Sequence, residues 1–221
     1  MQREVILTAD GSATIAIPEI NATYHSKHGA IRESMHVFIE TGLRHLPQQP
    51  AGNTIHLFEM GFGTGLNALL TLQEAMAAGQ NIHYHAIELF PLPEEKIAAL
   101  NYGEQLNMPS LFHQLHQCPW EEDVPINEHF TLYKTNQPLE QFTTTQLYDL
   151  VYYDAFAPGH QPELWTKEIF RSLYNQLQPN GILVTYCSKG EVRRAMQAAG
   201  LSVAKLPGPP GKREIVRATR P

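Results

Sequence analysis

The chain has 221 residues, of which 43% are hydrophobic and 17% charged, values typical of one soluble domain with a sizeable core. No apolar run reaches membrane-spanning length and the first residues do not begin a signal peptide, so we expect a cytoplasmic protein with no membrane partner. Cys118 and Cys187 are the only cysteines and the histidines are scattered, so neither a disulfide framework nor a metal site is predicted.

The net charge of −6 combines two parts of opposite sign. Residues 1–188 carry 8 Lys and Arg against 20 Asp and Glu, a net charge of −12, whereas residues 189–221 carry 8 against 2, a net charge of +6. A basic end on an acidic body is one electrostatic footprint of a polyanion partner. A solvated basic face would look the same, so charge alone leaves both interpretations open.

The first fifty residues predict an appendage that precedes the main domain. Residues 5–8 and 13–17 form a predicted hairpin around an Asp-Gly turn, and the apolar spacing of residues 31–43 predicts a helix. A linker over residues 47–52 separates this appendage, residues 1–50, from a domain predicted for residues 51–221.

The remaining elements alternate between strand and helix, which implies an α/β fold with a mostly parallel sheet. After a first strand that begins at residue 54, the predicted elements are helix 66–78, strand 82–88, helix 94–106, strand 130–134, strand 148–153, helix 162–177, strand 182–187, helix 191–199, strand 201–206 and strand 212–218. The short turn over residues 207–211 implies an antiparallel final hairpin, because a parallel return needs a long crossover.

A glycine-rich turn follows the first core strand, in the pattern Glu-x-Gly-x-Gly-x-Gly from Glu59 to Gly65. Glycines reach backbone angles closed to other residues and let a ligand approach the main chain. A dinucleotide-binding fingerprint would need its third glycine at position 66, where this chain has Leu66. Glu88 ends the next strand, where an acid hydrogen-bonds a ribose. The pattern predicts a nucleoside cofactor, S-adenosyl-L-methionine (AdoMet) rather than NAD; a tight turn without a ligand is the alternative.

Asp154 follows a buried strand and is the best candidate for contact with a substrate. In an open α/β sheet, ligands bind outside the carboxyl ends of the strands, where the glycine loop, the loop after Glu88 and the Asp154 loop should meet. The alternative for Asp154 is a carboxylate that braces its loop. Two interpretations are open for Phe156 and Trp165, which either stack on a base or fill the core. Asp149 lies at the far end of the strand and is interpreted as structural.

Five groups of residues together form a pattern specific to one family. They are Tyr24-His25-Ser26 with Gly29, Glu33 and His36-Val37-Phe38; Glu59 to Asn67; Asp154-Ala155-Phe156-Ala157-Pro158 with Pro162-Glu163-Leu164-Trp165; Val192-Arg193-Arg194 with Ala199-Gly200; and Gly211-Lys212-Arg213-Glu214. With these groups the chain resembles, over nearly its whole length, the methyltransferase domain of MnmC, the bacterial enzyme of tRNA wobble-uridine modification, and its stand-alone relatives.

This resemblance implies a Rossmann-like class I AdoMet-dependent methyltransferase acting on tRNA. The implied reaction methylates the amine of 5-aminomethyl-(2-thio)uridine at the wobble position and gives the 5-methylaminomethyl base. The sequence ends at Pro221, so we expect no oxidase domain or flavin site and a separate enzyme that supplies the amine.

The motifs and the resemblance together assign the site residues. The residues assigned to the cofactor are Glu59, Gly61, Gly63, Gly65, Asn67 and Glu88. The residues assigned to the substrate are Phe156, Pro158, Lys212 and Arg213, with Asp154 as the catalytic residue. We expect Asp154 to orient the amine and stabilise its developing charge; a general-base role is less favoured, because an unperturbed Asp, with a pKa of about 3.9, is a weak base.

Residues 133–136 depart from the family, whose members often carry there an acid that could meet the adenine. This chain has Lys134-Thr135-Asn136, so no adenine contact is assigned. A small-molecule N-methyltransferase or an aminopropyltransferase could use the same fold, although the latter would be expected to have a Gly-Gly-Gly-Asp-type loop. A non-catalytic AdoMet-binding module would keep the glycines but would not need the Asp154 block.

Overall fold

The computed structural model describes residues 2–47, 50 and 52–221. A small antiparallel sheet comes first, with strand order β1-β2-β3. Its strands are β1 (Glu4–Leu7), β2 (Ala13–Ile17) and β3 (Ala22–Thr23). The predicted N-terminal hairpin is therefore confirmed, with a third short strand beside it.

A second sheet of eight strands and seven α-helices form the rest of the described chain. The strands are β4 (Thr54–Met60), β5 (Asn81–Ile87), β6 (Asp123–Asn127), β7 (Phe130–Thr135), β8 (Tyr148–Tyr153), β9 (Leu177–Thr185), β10 (Ser202–Pro207) and β11 (Glu214–Thr219). The helices are α1 (Ala30–Ser34), α2 (Leu66–Ala78), α3 (Glu94–Ile97), α4 (Tyr102–Gln105), α5 (Pro109–Gln117), α6 (Lys167–Gln176) and α7 (Gly190–Ala198). No helix within residues 2–47, 50 and 52–221 is long and apolar enough to cross a membrane.

The order of the large sheet is β10-β11-β9-β8-β4-β5-β7-β6. The five central strands, β9, β8, β4, β5 and β7, pair in parallel. β6 pairs antiparallel with β7, and β11 pairs antiparallel with both β9 and β10. The predicted mostly parallel sheet and the antiparallel final hairpin are confirmed.

The central strands are apolar because both faces of the sheet are covered, as is usual for parallel strands. Successive side chains of a strand point to opposite faces. Leu57 and Tyr152 pack in one core, whereas Phe58 and Val151 pack in the other. The sheet is thereby fixed between two layers, and the loops at its ends are left to form a site.

Three predicted helices have different bounds in the structure. The helix predicted over residues 31–43 is α1 followed by a π-helical segment, Met35–Glu40. The helix predicted over 94–106 is split into α3 and α4. In the helix predicted over 162–177, Thr166 is extended and caps α6, its Oγ1 accepting from the Ile169 N–H at 3.3 Å; a 3₁₀ turn lies before it. Periodicity did not register these local breaks because the apolar spacing continues through them.

The N-terminal segment shares a core with the large sheet. Ile15, Ala30 and Phe38 belong to the same buried cluster as Leu57. The linker predicted over residues 47–52 includes Gln48, Gln49 and Ala51, which lie outside the described residues. The division into residues 1–50 and 51–221 stays a prediction.

Asn101 joins the N-terminal hairpin to the large domain. Its Oδ1 accepts from the Ala13 N–H at 2.8 Å, and its Nδ2 donates to the Gly11 carbonyl at 2.9 Å. Ala13 is buried, so its N–H depends on this side chain for a partner.

We expect Asn101→Ala to lower the free energy of unfolding by about 1–3 kcal/mol, because a buried N–H is left without an acceptor. Amide hydrogen exchange at Ala13 should become faster. Glu104→Ala, at an exposed position of α4, is the control and should change neither quantity. Denaturant unfolding with residue-resolved exchange measures both, and unchanged stability in Asn101→Ala would contradict the proposed role.

Candidate active site

A cleft of about 1310 Å³ lies at the carboxyl edge of the large sheet. Loops after β4, β5 and β8 line it, and residues 24–26 close one side. The three loops that the sequence analysis placed at one edge therefore meet. Among the described residues, no group of three or more His, Cys, Asp or Glu is arranged to hold a metal ion.

The glycine loop has a backbone that other residues would strain. Gly61, Gly63 and Gly65 have φ angles of +93°, +50° and +72°, in the region that favours glycine. A Cβ on Gly61 would lie 3.2 Å from the Asp154 carbonyl oxygen, and one on Gly63 would lie 3.2 Å from Tyr24 Cδ1. The loop thus needs glycine both for its angles and for its close neighbours. Gly65 packs beside His116 and does not line the cleft.

Asn67, in the first turn of α2, joins two acids. Its Nδ2 donates to Glu59 Oε1 at 2.9 Å and to Asp154 Oδ2 at 3.1 Å. Because both hydrogen bonds go to carboxylates, the amide orientation is fixed. Asn67 Oδ1 is then a buried acceptor without a hydrogen-bond partner among the described residues, which suits a cationic or N–H group of a ligand.

The two acids held by Asn67 differ in access to the cleft. Glu59 is fully buried behind the glycine loop, whereas Asp154 is half-buried and lines the cleft. Burial raises the pKa of Asp154 well above its ordinary value, Glu33 raises it further, and Asn67 and Lys212 lower it. Burial also raises the pKa of Glu59. Asp154 is therefore a stronger base than an exposed Asp.

Glu88 lines the cleft at the end of β5 and braces the glycine loop. Its Oε2 accepts from the Gly63 N–H at 2.9 Å and its Oε1 accepts from the Phe90 N–H at 2.8 Å. Carboxylate oxygens have further lone pairs and can accept from a ribose hydroxyl. The glycine cradle, the free acceptor of Asn67 and this carboxylate fit a nucleoside cofactor with a cationic tail.

Tyr24 and Phe156 form an aromatic pair in the cleft wall. Their ring centroids lie 5.1 Å apart and the rings are nearly perpendicular. Burial raises the pKa of Tyr24 to about 12, so its hydroxyl stays protonated at neutral pH. Trp165 lies in the core and donates from Nε1 to the Phe156 carbonyl at 2.8 Å. Of the two aromatic candidates, Phe156 lines the cleft and Trp165 supports its loop. Pro158 is buried and does not line the cleft.

Lys212 and Arg213 are neighbours in sequence with different surroundings. The Lys212 ammonium lies 2.6 Å from Glu33 Oε1 and 3.8 Å from the centroid of the Tyr186 ring, at the cleft. Arg213 is exposed and does not line the cleft. The two residues assigned together to the substrate thus occupy separate places.

Lys134 stands in the segment where the sequence departs from the related family. Its side chain is buried, and Nζ donates to the Leu115 and His116 carbonyls at 2.8 and 3.0 Å, at the C-terminal end of α5. A cation is favourable at that end of a helix. The lysine has a structural role, and Asn136 beside it donates to the Glu88 carbonyl at 2.7 Å.

Several residues that line the cleft were not predicted from the sequence. Among them are Arg3, Leu139, Glu140 and Tyr186. Glu140 follows the predicted strand 130–134, so the rule that ligands bind at strand ends could have pointed to its loop. The same rule applies to Tyr186, which lies at the end of the predicted strand 182–187 and directly after β9. Arg3 carries no such signal, since its position depends on how the N-terminal segment packs.

Comparison with known proteins identifies the family. A family model described as S-adenosyl-L-methionine-dependent methyltransferase matches residues 98–221, more than half of the chain. The chain belongs to this family. The matched residues include Asp154 and the final hairpin and begin after the glycine loop, so the structure of that loop is independent support for the same cofactor.

Two curated relatives are bifunctional MnmC proteins named for tRNA 5-methylaminomethyl-2-thiouridine biosynthesis. The protein of Cupriavidus necator is 31% identical to this chain over 98% of the chain and 34% of the relative. The protein of Cupriavidus metallidurans is 32% identical to this chain over 96% of the chain and 33% of the relative. The chain thus spans about a third of the length of these relatives, and the resemblance to the MnmC methyltransferase domain is confirmed.

Solved structures agree with the fold. MnmC2 from Aquifex aeolicus matches with a TM-score of 0.78 and 25% identity, over 99% of this chain and 70% of that chain. Spermidine synthase from Thermotoga maritima matches with a TM-score of 0.56 and 12% identity, over 99% and 69%, a likeness of fold alone. The Rossmann-like class I methyltransferase fold and AdoMet as the cofactor are confirmed.

We expect Gly63→Ala to weaken AdoMet binding at least about ten-fold, because a Cβ would narrow the cradle and press on Tyr24. Gly79→Ala is the matched control: Gly79 also has a positive φ, +62°, but open space around its Cβ position. Both variants carry a similar backbone strain of about 1–2 kcal/mol. Calorimetric titration should separate them, and equal AdoMet affinity in the two variants would exclude the glycine loop as the cofactor cradle.

Proposed function

We propose that this protein methylates the amine of 5-aminomethyl-(2-thio)uridine at the wobble position of tRNA and gives 5-methylaminomethyl-(2-thio)uridine. The observation that carries the proposal is the position of Asp154, which lines the cleft and is held by Asn67 directly beside the glycine loop. The substrate class is supported by the MnmC relatives. A separate enzyme would supply the aminomethyl base, and the cytoplasmic location expected from the sequence stays a prediction.

The proposed cofactor contacts follow from the donors and acceptors in the cleft. The glycine loop gives the cofactor close access to the main chain, Asn67 Oδ1 accepts from its ammonium, and Glu88 accepts from its ribose. Glu59 acts from behind by holding the Asn67 amide. Bound AdoMet supplies an electrophilic methyl group, so the protein must chiefly position an amine, which can contribute several kcal/mol.

Asp154 is proposed to orient the amine and to accept the proton that methylation releases. A neutral primary amine becomes a secondary ammonium when it gains a methyl group, and one proton must then leave. Asp154 lines the cleft, and its Oδ2 accepts a hydrogen bond from Asn67 Nδ2. Because the surroundings raise the pKa of Asp154, proton transfer to it is more favourable than to an ordinary Asp. The structure thus supports a larger general-base share than the sequence alone favoured.

The proposed substrate base is part of tRNA, which is a polyanion. The exposed cations of residues 189–221 are suited to binding its phosphates. Arg213 and Lys205 are exposed, and Lys205 Nζ lies 2.7 Å from Oε1 of Glu214, the residue that follows Arg213. Phosphate contacts of this kind fix position without reading sequence. By contrast, Arg217 and Arg220 donate to the Thr41 and Leu177 carbonyls and serve the fold. The proposed tRNA face is therefore the corner around Arg213, and Phe156 is the proposed base contact inside the cleft.

An assay with hypomodified tRNA and AdoMet tests the proposed function. We expect nucleoside mass spectrometry to detect 5-methylaminomethyl-(2-thio)uridine only when both are present. Asp154→Asn should keep the fold and most AdoMet affinity but lose about a hundred-fold in single-turnover rate, as is common when a positioned electrostatic group is removed.

Asp149→Asn is the control for this substitution. Asp149 begins the same strand and its Oδ2 accepts from the His56 N–H at 2.8 Å, at the end of β8 opposite the cleft. This variant should lower the melting temperature and leave the rate unchanged. An Asp154→Asn protein that binds AdoMet and methylates at a near-normal rate would contradict the catalytic role. Methylation of the free nucleoside as fast as of tRNA would favour a small-molecule enzyme.

Binding of tRNA should weaken steeply with salt, because contacts to phosphates release counterions. Arg213→Ala should reduce the slope of log K against log salt by about one, for every tRNA alike. Lys167→Ala, at an exposed position of α6 outside the cleft, should not change the slope. Fluorescence anisotropy over a salt series measures these slopes, and salt-insensitive binding would remove the case for a phosphate face.

A further inference from the structure

Glu33 and Lys212 form an ion pair at the cleft that the proposed chemistry does not use. The side chains are 8% and 28% exposed, and the charged atoms lie 2.6 Å apart. Glu33 belongs to α1, and Lys212 belongs to the turn between β10 and β11. The pair therefore ties the N-terminal segment to the C-terminal hairpin, far apart in sequence, beside Asp154.

Further contacts connect both partners to the walls of the cleft. Glu33 Oε2 accepts from the Ser26 N–H at 2.6 Å, two residues after Tyr24. The Lys212 ammonium lies over the Tyr186 ring. The Tyr186 hydroxyl donates to the Ala155 carbonyl at 2.8 Å, directly after Asp154. The ion pair is thus linked to the Tyr24 loop on one side and to the Asp154 loop on the other.

The backbone of the two segments also requires close contact. A Cβ on Gly211 would lie 2.1 Å from His28 Cδ2, and His36 Nε2 lies 2.8 Å from the Pro207 carbonyl oxygen. Lys212 is consequently held inward by packing on both sides of its turn. Its ammonium is already engaged by Glu33 and by the Tyr186 ring, so a phosphate would compete with both contacts.

We propose that Glu33 and Lys212 are positioning residues for Asp154, and that Lys212 is not one of the phosphate contacts of the basic face. This proposal rests on the proposed function, since it concerns the same site. Through Tyr186, the pair holds the loop that carries Asp154. The two residues carry opposite charges, so together they add little net charge beside the Asp154 carboxyl, which receives the proton.

The charge balance around Asp154 follows from its neighbours. The titratable and polar groups that face it are Glu33, Lys212, Asn67, Glu59, Tyr84 and Tyr186. Glu33 raises the pKa of Asp154, whereas Lys212 lowers it. Removing one charge of the pair should therefore move the titration of Asp154 in a direction that depends on which charge is removed.

The test compares Lys212→Met with Glu33→Gln, each of which removes one charge and retains much of the side-chain length. Asp154 acts as a carboxylate, so the single-turnover rate falls as pH falls through its pKa. In Lys212→Met the pKa rises, and the acid limb should move to higher pH by about half a unit or more. In Glu33→Gln the pKa of Asp154 falls, and the acid limb should move to lower pH. Rates at the optimum should drop about ten-fold in both.

Three further measurements separate this role from simple support or phosphate binding. Lys167→Met removes the same charge from an exposed lysine and should leave the pH profile unchanged. Lys212→Arg keeps the charge and should restore the wild-type acid limb. The salt slope of tRNA binding should stay at the wild-type value in Lys212→Met but fall in Arg213→Ala.

A direct titration needs no substrate. The chain has only four Asp residues, so 13C labelling of Asp and comparison with Asp154→Asn assign the Asp154 carboxyl signal. Its midpoint should move up in Lys212→Met and down in Glu33→Gln. If both variants shift it in the same direction or not at all, or if Lys212→Met lowers the salt slope as Arg213→Ala does, the positioning role is wrong.

The failures of the two proposals are distinguishable. If the wild-type protein does not methylate hypomodified tRNA, the proposed function fails, while the NMR titration still decides whether Glu33 and Lys212 control Asp154. If the wild type is active and the opposite shifts are absent, only the positioning proposal fails. Glu33→Gln, which changes no volume, supplies this answer if Lys212→Met does not fold.

Discussion

The Asn67 amide is the contact on which the site depends. It is the side chain that bonds both to the acid preceding the glycine loop and to the acid following β8. A primary amide suits this place, because it offers two N–H donors to two carboxylates and keeps one oxygen for a ligand. The buried Glu59 carboxylate and the half-buried Asp154 carboxylate would otherwise repel each other. The amide makes their proximity tolerable and sets the direction of Asp154.

Around this contact, parts distant in sequence complete the cleft. The parallel strands bring three loops to one edge, as any doubly wound sheet does. The N-terminal segment adds Tyr24 against Gly63, and the C-terminal turn adds Lys212 against Glu33. Both additions pack on the common fold and narrow an open edge into an enclosed site. Segments outside the five parallel strands therefore shape the cleft.

The sequence predicted what depends on local pattern. The strand 148–153, the helix 66–78 with its stop at Gly79, and the final hairpin follow from periodicity and turn chemistry, and the structure has them. Asp154 could be placed at the cleft because parallel strands end at one edge. The sequence assigned Lys212 and Arg213 together to the substrate, and charge counting does not show which way a side chain points. In the structure Lys212 pairs with Glu33 at the cleft, whereas Arg213 is exposed outside it.

The buried side chains show a second limit. Nothing in the segment around Lys134 indicates that its ammonium binds carbonyls at the C-terminal end of α5. The two acceptors come from a different part of the chain. Likewise, burial raises the pKa of Asp154 and Glu33, which is 121 positions away in the printed sequence, raises it further. Contacts of this range leave no periodic trace in one sequence.

The place of β11 in the sheet determines when the site can exist during folding. β11 lies between β9 and β10, and these two strands do not pair with each other. β10 therefore joins the sheet only after residues 214–219 have been inserted, and the turn that carries Lys212 is fixed by the same event. On a ribosome, which releases the chain from its first residue onward, the glycine loop can form early, whereas the Glu33–Lys212 pair must wait for the last strand. A nascent chain could thus form the glycine loop before both charges of the pair lie beside Asp154, and this long-range closure is expected to be a slow step of folding.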